Sequence, residues 1–423
     1  MTDETTPGAP GTATEISPEM LEGIPRVEMV TTDAASGEAM VLNMGPSHPS
    51  THGVLRIVLE LDGEKVLSAT PDIGYLHRGM EKIAEDFTYH KFIPYTDRMD
   101  YLAPMANNVG VACAVEKVLG IEIPERAKSI RVMVSEMARI SSHLLGLGAF
   151  AMDVGAITVF LWAFQEREYL YDFFESLCGA RFTTSYTRIG GVMRDVPEDF
   201  PDRLRTWMGR FPKVVDDIEK LLTRNKIWMD RTQGIGVIRA EDAISFGLTG
   251  PNLRACGVEY DVRLAKPYLG YERYEFDVPV GTQGDCYDRY VLRIEEMRQS
   301  IRILHQVLDT MPGGPFFLED PRVSLPPKQA VLENMEELIY QFIVVTEGQK
   351  GPPGEACFTQ ENPKGEYGYY VVSDGTGKAY RMRCRAPSFN NLSILGHVLP
   401  GYMVSDSIAT LGSLDFVMGE CDR

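Results

Sequence analysis

Arg126-Ala-Lys-Ser-Ile-Arg-Val-Met-Val-Ser-Glu-Met-Ala-Arg-Ile-Ser-Ser-His-Leu-Leu-Gly-Leu-Gly-Ala-Phe150 is the stretch that decides the fold class. Ile130, Met133, Met137, Ile140, Leu144 and Leu147 recur every three or four residues, which lines them along one face of an α-helix. Helix-like patterns flank it on both sides: Glu81 to Asp86, Ala103 to Leu119, Ala156 to Cys178, Asp199 to Arg224, Tyr287 to Met311 and Ala330 to Glu347. Residues 76–350 are therefore expected to form a bundle of long helices.

Both ends change period. Ala39-Met-Val-Leu-Asn-Met44 is a short apolar run. Val54-Leu-Arg-Ile-Val-Leu-Glu-Leu-Asp62 alternates, Gly63-Glu64 makes a two-residue turn, and Lys65-Val-Leu-Ser-Ala-Thr70 returns, which reads as a β-hairpin. Tyr367-Gly-Tyr-Tyr-Val-Val-Ser-Asp374 and Lys378-Ala-Tyr-Arg-Met-Arg-Cys384 repeat that pattern across Gly375-Thr-Gly377. The fold class expected is α+β, mainly helical. An N-terminal β region spans 27–75, and a C-terminal β hairpin and tail over 351–423 pack on the bundle. Residues 1–26, acidic and rich in Thr, Pro and Gly, are expected to be a disordered or partner-bound arm, not a secretory signal.

Charge and cysteine usage exclude some classes of function. The net charge is -18, the wrong field for a general nucleic-acid binder and for direct adhesion to anionic lipid. The 7 cysteines are scattered singly with no CxxC pair, so neither a disulfide framework nor a zinc or iron–sulfur site is expected from this chain alone, and a reducing location fits. No phosphate-binding glycine motif occurs, so NADH is not expected to bind here. Leu144 to Phe164 carries a single charge, Asp153, and is long enough to span a bilayer. Gly146, Gly148, Gly155 and the central acid favour a buried bundle helix instead.

Three features carry chemistry. His48-Pro-Ser-Thr-His52 places two of only 7 histidines in a loop stiffened by Pro46 and Pro49. A stiff loop fixes the angle of an imidazole, as catalysis requires, but a loop histidine serves as readily by bonding the backbone. A metal pair is the weaker reading, since no acidic third ligand follows nearby. Asp153 lies in an apolar run, where a carboxylate needs a partner or a proton; a histidine is a natural partner, and a structural hydrogen bond is the alternative. Arg78 and Arg98 suit ordinary surface ion pairs equally well.

Longer motifs then come together. Gly45-Pro-Ser-His-Pro-Ser-Thr-His-Gly-Val-Leu-Arg56, Gly74-Tyr-Leu-His-Arg-Gly79, Asp97-Arg-Met-Asp-Tyr101, Ala151-Met-Asp-Val-Gly-Ala156, Gly179-Ala-Arg181, Arg188-Ile-Gly-Gly191 and Asp415-Phe-Val-Met-Gly-Glu420 with terminal Asp422-Arg423 resemble, in order, the D-subunit family of NADH-quinone oxidoreductase, the 49-kDa subunit of respiratory complex I. The resemblance runs from about Val41 to the last residue. It implies that His52 and Tyr101 reach opposite carbonyls of a bound quinone, that His48 of the same loop also contributes to the quinone-binding site, and that Asp153 pairs with His52. It implies that Arg78 and Arg98 lie near a four-iron four-sulfur cluster held by a partner, the B subunit. It further implies subunits C, H and I as partners, membrane association through those partners on the cytoplasmic face of the inner membrane, and no cofactor bound by this chain alone.

The same resemblance extends to the large subunit of nickel-iron hydrogenases, which implies the fold. The four cysteines of that enzyme's RxCGxC and DPCxxC pairs correspond here to Asp100, Ala103, Val417 and Glu420, so no metal site is expected. Two departures stand out. Thr183 occupies the place of a histidine common in relatives, which implies a weaker pH dependence of the partner cluster's potential. Cys421 replaces a small aliphatic and is expected to be buried as an apolar substitute. The competing readings are a hydrogenase large subunit, which lacks its cysteines here, a related dehydrogenase subunit fed by another donor, and a non-catalytic scaffold.

Overall fold

The computed structural model describes residues 39–51 and 53–423; residues 1–38, including the expected arm, and His52 lie outside the described residues. The chain opens with β1 (Met40–Met44), β2 (Arg56–Asp62) and β3 (Lys65–Asp72), then α1 (Met80–Asp86), α2 (Tyr89–Thr96), α3 (Pro104–Leu119), α4 (Glu125–Asp153) and α5 (Ile157–Cys178). A two-residue ladder of β4 (Thr187–Arg188) and β5 (Gly191–Val192) precedes α6 (Phe200–Leu222), α7 (Lys226–Thr232), α8 (Ala240–Ser245), α9 (Pro251–Ala255), α10 (Val262–Ala265) and α11 (Cys286–Thr310). The remainder is α12 (Lys328–Glu333), α13 (Met335–Glu347), β6 (Gly354–Asn362), β7 (Gly365–Ser373), β8 (Ala379–Arg385), α14 (Pro387–Ser393), α15 (Leu395–Val398), α16 (Val404–Leu414) and α17 (Met418–Asp422). A mainly helical α+β fold results, as the periodicities predict.

The stretch around Met137 forms the axis. α4 is buried almost all round and packs on α3, α5, α11 and α16. The apolar run across Asp153 is not one helix. It breaks at Val154 to Ala156, where Gly155 takes a φ of 105°, and no helix among the described residues is long and apolar enough to cross a membrane.

Two differences from the sequence reading have local causes. The helix expected over 330–347 is divided at Asn334, whose side chain accepts from Glu336 N–H and caps α13. The C-terminal hairpin is a three-stranded antiparallel sheet in the order β6-β7-β8, followed by four short helices. Cys421 is buried in the cluster formed by β1–β3 and the C-terminal helices, as expected of an apolar substitute.

The core is also ionic. Arg254 lies among three carboxylates, Glu296 at 2.7 Å, Glu361 at 2.8 Å and Asp261 at 3.6 Å, all buried. Glu136 of α4 accepts from Arg263 at 3.1 Å, Tyr271 Oη at 2.7 Å and Ser300 Oγ at 2.7 Å. Burial alone would raise the Glu136 carboxyl, but Arg139 and Arg263 reverse this and hold it at about 2. These pairs fix α4, α9, α10, α11 and β6 to one another. Their hydrogen bonds compensate the desolvation that isolated buried charges would suffer.

Candidate functional site

The loop between β1 and β2 must turn tightly, and Gly45 permits it. Its φ is 90°, and a Cβ there would lie 2.1 Å from Leu55 O. Within the loop, His48 Nδ1 accepts from Ser50 N–H (3.2 Å), while Thr51 Oγ donates to His48 O (2.9 Å) and Pro46 O (3.1 Å). Ser50 Oγ donates to Asp153 Oδ1 (3.1 Å), which ties the loop to the C-terminal end of α4. The Asp153–His52 pairing falls on a residue outside the described ones; the described partner of Asp153 is Ser50. Burial raises the Asp153 carboxyl above the usual range, opposed by the Ser50 bond and by His48. Gly45→Ala is expected to displace this loop; amide hydrogen exchange should quicken at residues 46–51 and stay unchanged in α4.

Tyr101 follows α2, just before α3, and is half-buried. Its ring lies 6.3 Å from that of Phe182, and Gly419 packs on its other edge, where a Cβ would sit 3.1 Å from Tyr101 Cε1. Arg78 Nη2 donates to Arg98 O (2.9 Å) and Gly419 O (3.0 Å), clamping the segment that carries Tyr101 to the C-terminal segment. Burial, aided by the Asp100 charge, raises the Tyr101 phenol, while Lys364 and Arg78 oppose. A phenol so placed stays protonated near neutrality and can donate a hydrogen bond.

The next residue, Leu102, lines a small cavity of about 20 Å³ together with Asp153, Gly146 and Asp415. That is room for about one water. Tyr101 and Asp153 thus lie in adjoining segments of one corner, although no hydrogen bond joins them among the described residues. The corner is apolar outside: Ile157, Leu161 and Trp162 of α5, the helix that follows Asp153, are exposed, as is Phe182 against Tyr101. Arg98 is exposed and its guanidinium bonds Pro94 O at 2.6 Å, while its own carbonyl accepts from Arg78, so the two arginines are neighbours.

The C-terminus completes the arrangement. The Asp422 carboxylate accepts from Gly74 N–H (2.9 Å) and Leu76 N–H (2.7 Å), anchoring the tail on the Gly74–Gly79 loop. Sequence reasoning missed Ser50 and Lys364. The second lies in the β6–β7 turn, where lysines ordinarily meet water, yet it is 1% exposed.

A family model described as respiratory-chain NADH dehydrogenase, 49 Kd subunit, matches residues 153–423. The NADH-quinone oxidoreductase D subunit of Methylacidiphilum infernorum is 62% identical over 406 residues, covering 96% of this chain and 97% of the relative. The chain belongs to the D-subunit family of NADH-quinone oxidoreductase. Relatives of the same description from Opitutus terrae (59% identical, 92% of this chain, 91% of the relative) and Akkermansia muciniphila (56%, 93% and 95%) agree. Membership makes this chain a subunit of an oxidoreductase complex and so implies partner subunits. Its motifs are the structural joints described above: the first loop meets α4 through Ser50–Asp153, and the terminal Asp422-Arg423 holds the Gly74–Gly79 loop.

Proposed function

We propose that this chain forms the quinone-reducing end of its complex, taking electrons from a four-iron four-sulfur cluster in the partner B subunit. The observation that carries the reading is the Ser50–Asp153 hydrogen bond, which holds the histidine loop against a half-buried acid at the apolar corner next to Tyr101. Quinone takes up two electrons and two protons. Tyr101 would donate from its phenol to one carbonyl oxygen, and His52 from its imidazole to the other. His48 stiffens the loop through its bond from Ser50 N–H. Asp153, raised by burial, is a better proton store than a surface aspartate and would return a proton to His52.

Arg78 and Arg98 would face the partner's cluster, where their charge favours its reduced form. The family resemblance implies that the cluster belongs to the B subunit, and the singly scattered cysteines of this chain agree with that. The exposed face of Ile157, Leu161 and Trp162 would close the quinone chamber against a membrane-embedded partner, the H subunit, with subunits C and I as further neighbours on the cytoplasmic side. Such attachment needs no membrane span in this chain.

NADH:quinone reductase assays on membranes test the reading. Asp153→Asn and His52→Ala are each expected to lower turnover about 10-fold or more with the complex assembled, the usual scale for a lost proton-transfer group. Full activity in both would favour a scaffold role.

A further inference from the structure

Behind Tyr101 lies a buried cluster that the proposed chemistry does not use. Lys364, at the tip of the β6–β7 hairpin, drives its ammonium into the core between Asp100 (Oδ1 at 3.3 Å) and Ser142 Oγ (2.7 Å). The tip can dock there because Gly250 and Gly365 bring two backbones together: a Cβ on Gly250, at φ 67°, would lie 2.3 Å from Gly365 Cα. Glu420 faces the same cluster. Its Oε1 accepts from Ser388 N–H at 3.0 Å, and its Oε2 has no hydrogen-bond partner among the described residues. A fully buried carboxylate oxygen left unpartnered is expensive unless it carries a proton.

Tyr101 is linked to this cluster through two chain neighbours. Asp100 precedes it in the chain, and Gly419, next to Glu420, packs on its ring. Asp415, whose charge acts on Lys364 and which pairs with Arg293 at 3.7 Å, lines the small cavity shared with Asp153. The cluster therefore adjoins the Tyr101 segment on one side and reaches toward Asp153 on the other.

We propose that Asp100, Lys364 and Glu420 form the proton store that recharges Tyr101 after its phenol has protonated the quinone. The inference rests on the quinone-reducing role proposed above. In the step, the Glu420 O–H bond breaks and the Tyr101 O–H bond re-forms on the phenolate. No electron moves, and the negative charge left on Glu420 lies in the field of the Lys364 ammonium. These three residues act through Tyr101 and do not touch the quinone.

The electrostatics agree in sign. Burial, then the Asp100 charge, pushes Glu420 up to about 8 against the pull of Lys364, so Glu420 holds its proton at neutral pH. Burial alone would lower Lys364, but Asp100, Asp415 and Glu420 more than restore it, so it keeps its charge. The other groups that face Glu420 are Tyr367 and Tyr369 of β7, which burial keeps neutral, Arg385 of β8, and the neighbouring Cys421 thiol, pushed up to about 12.

The test is quinone reductase turnover of the assembled complex against pH. In the wild type, kcat is expected to fall as pH rises through about 8, where the store empties. Glu420→Gln keeps the bond from Ser388 N–H; it is expected to lower kcat about 10-fold at neutral pH, leave KM for quinone unchanged and remove that alkaline fall. Glu420→Asp is expected to restore part of kcat and the alkaline fall. Wild-type turnover and pH profile in Glu420→Gln, with Tyr101→Phe inactive, overturns the proton store and spares the quinone site. Full activity in Tyr101→Phe overturns the quinone site itself. Should the variants fail to assemble, infrared difference spectra of the wild-type complex decide. With isotope-labelled glutamate separating Glu420 from Asp153, quinone reduction is expected to bleach the C=O band of a protonated glutamic acid, and an unchanged glutamic band overturns the proposal.

Discussion

Tyr101→Phe is expected to lower NADH-driven quinone reduction about 100-fold or more, while electron delivery to a soluble acceptor that intercepts the chain upstream stays normal. The substitution removes one oxygen. The ring keeps its place against Phe182 and Gly419, so assembly should survive. What is lost is the donor that neutralises one carbonyl oxygen as charge builds, and Phe offers no substitute. The loss should fall on kcat more than on KM, because the hydrogen bond strengthens as the oxygen becomes negative. Measuring both activities on the same membranes separates this from a general defect: equal loss of both would signal misassembly, and loss of neither would remove Tyr101 from the chemistry.

The second large effect concerns the core. Arg254→Met leaves Glu296, Glu361 and Asp261 facing one another without their shared cation. Breaking a buried pair of this kind costs about 3–5 kcal/mol, a large share of the roughly 5–15 kcal/mol that holds a domain folded. Little assembled complex is expected at neutral pH. In the wild type, Arg254 and His143 overcome the burial that would raise Glu296 and hold it well below the usual carboxylate range. A carboxylate with a depressed folded pKa contributes stability above its unfolded pKa and loses it as pH falls through the folded value. In the variant that contribution is gone and the unpaired carboxylates take up protons readily. The gap in thermal stability between variant and wild type is therefore expected to be widest near neutral pH and to narrow toward pH of about 5. A gap independent of pH would mean that lost packing, not lost charge compensation, dominates.

The elements that could be read from the sequence were those with a single partner class. α4 announces itself because one apolar stripe must face other helices, and the Val54–Thr70 hairpin because alternation and a two-residue turn coincide. β6 was missed because Gly354–Asn362 is bounded by polar ends and is recognisable only once β7 offers it a register. The buried ionic core was hidden for a similar reason. Glu136 and Arg139, three apart on a helix, look like an ordinary exposed pair, and only the arrival of Arg263, Tyr271 and Ser300 from distant segments shows that they are interior.

The site was legible in the same partial way. The stiff loop and the acid at position 153 could be singled out from their residues, but Tyr101 drew attention only through the family resemblance. Nothing in the sequence marks Ser50, a small hydroxyl in a turn, as the link between loop and helix. Lys364 carried an opposite signal, since a lysine beside a proline in a hairpin turn reads as solvated. Its burial depends on Gly250 and Gly365, glycines far apart in the chain.

Photolabelling the assembled enzyme with a quinone analogue that carries its reactive group on the headgroup tests the quinone site most directly. Label on the segments 45–53 and 97–103 of this chain, displaced by excess quinone, is the expected result. Displaceable label confined to other subunits, with both segments recovered unmodified, would contradict it.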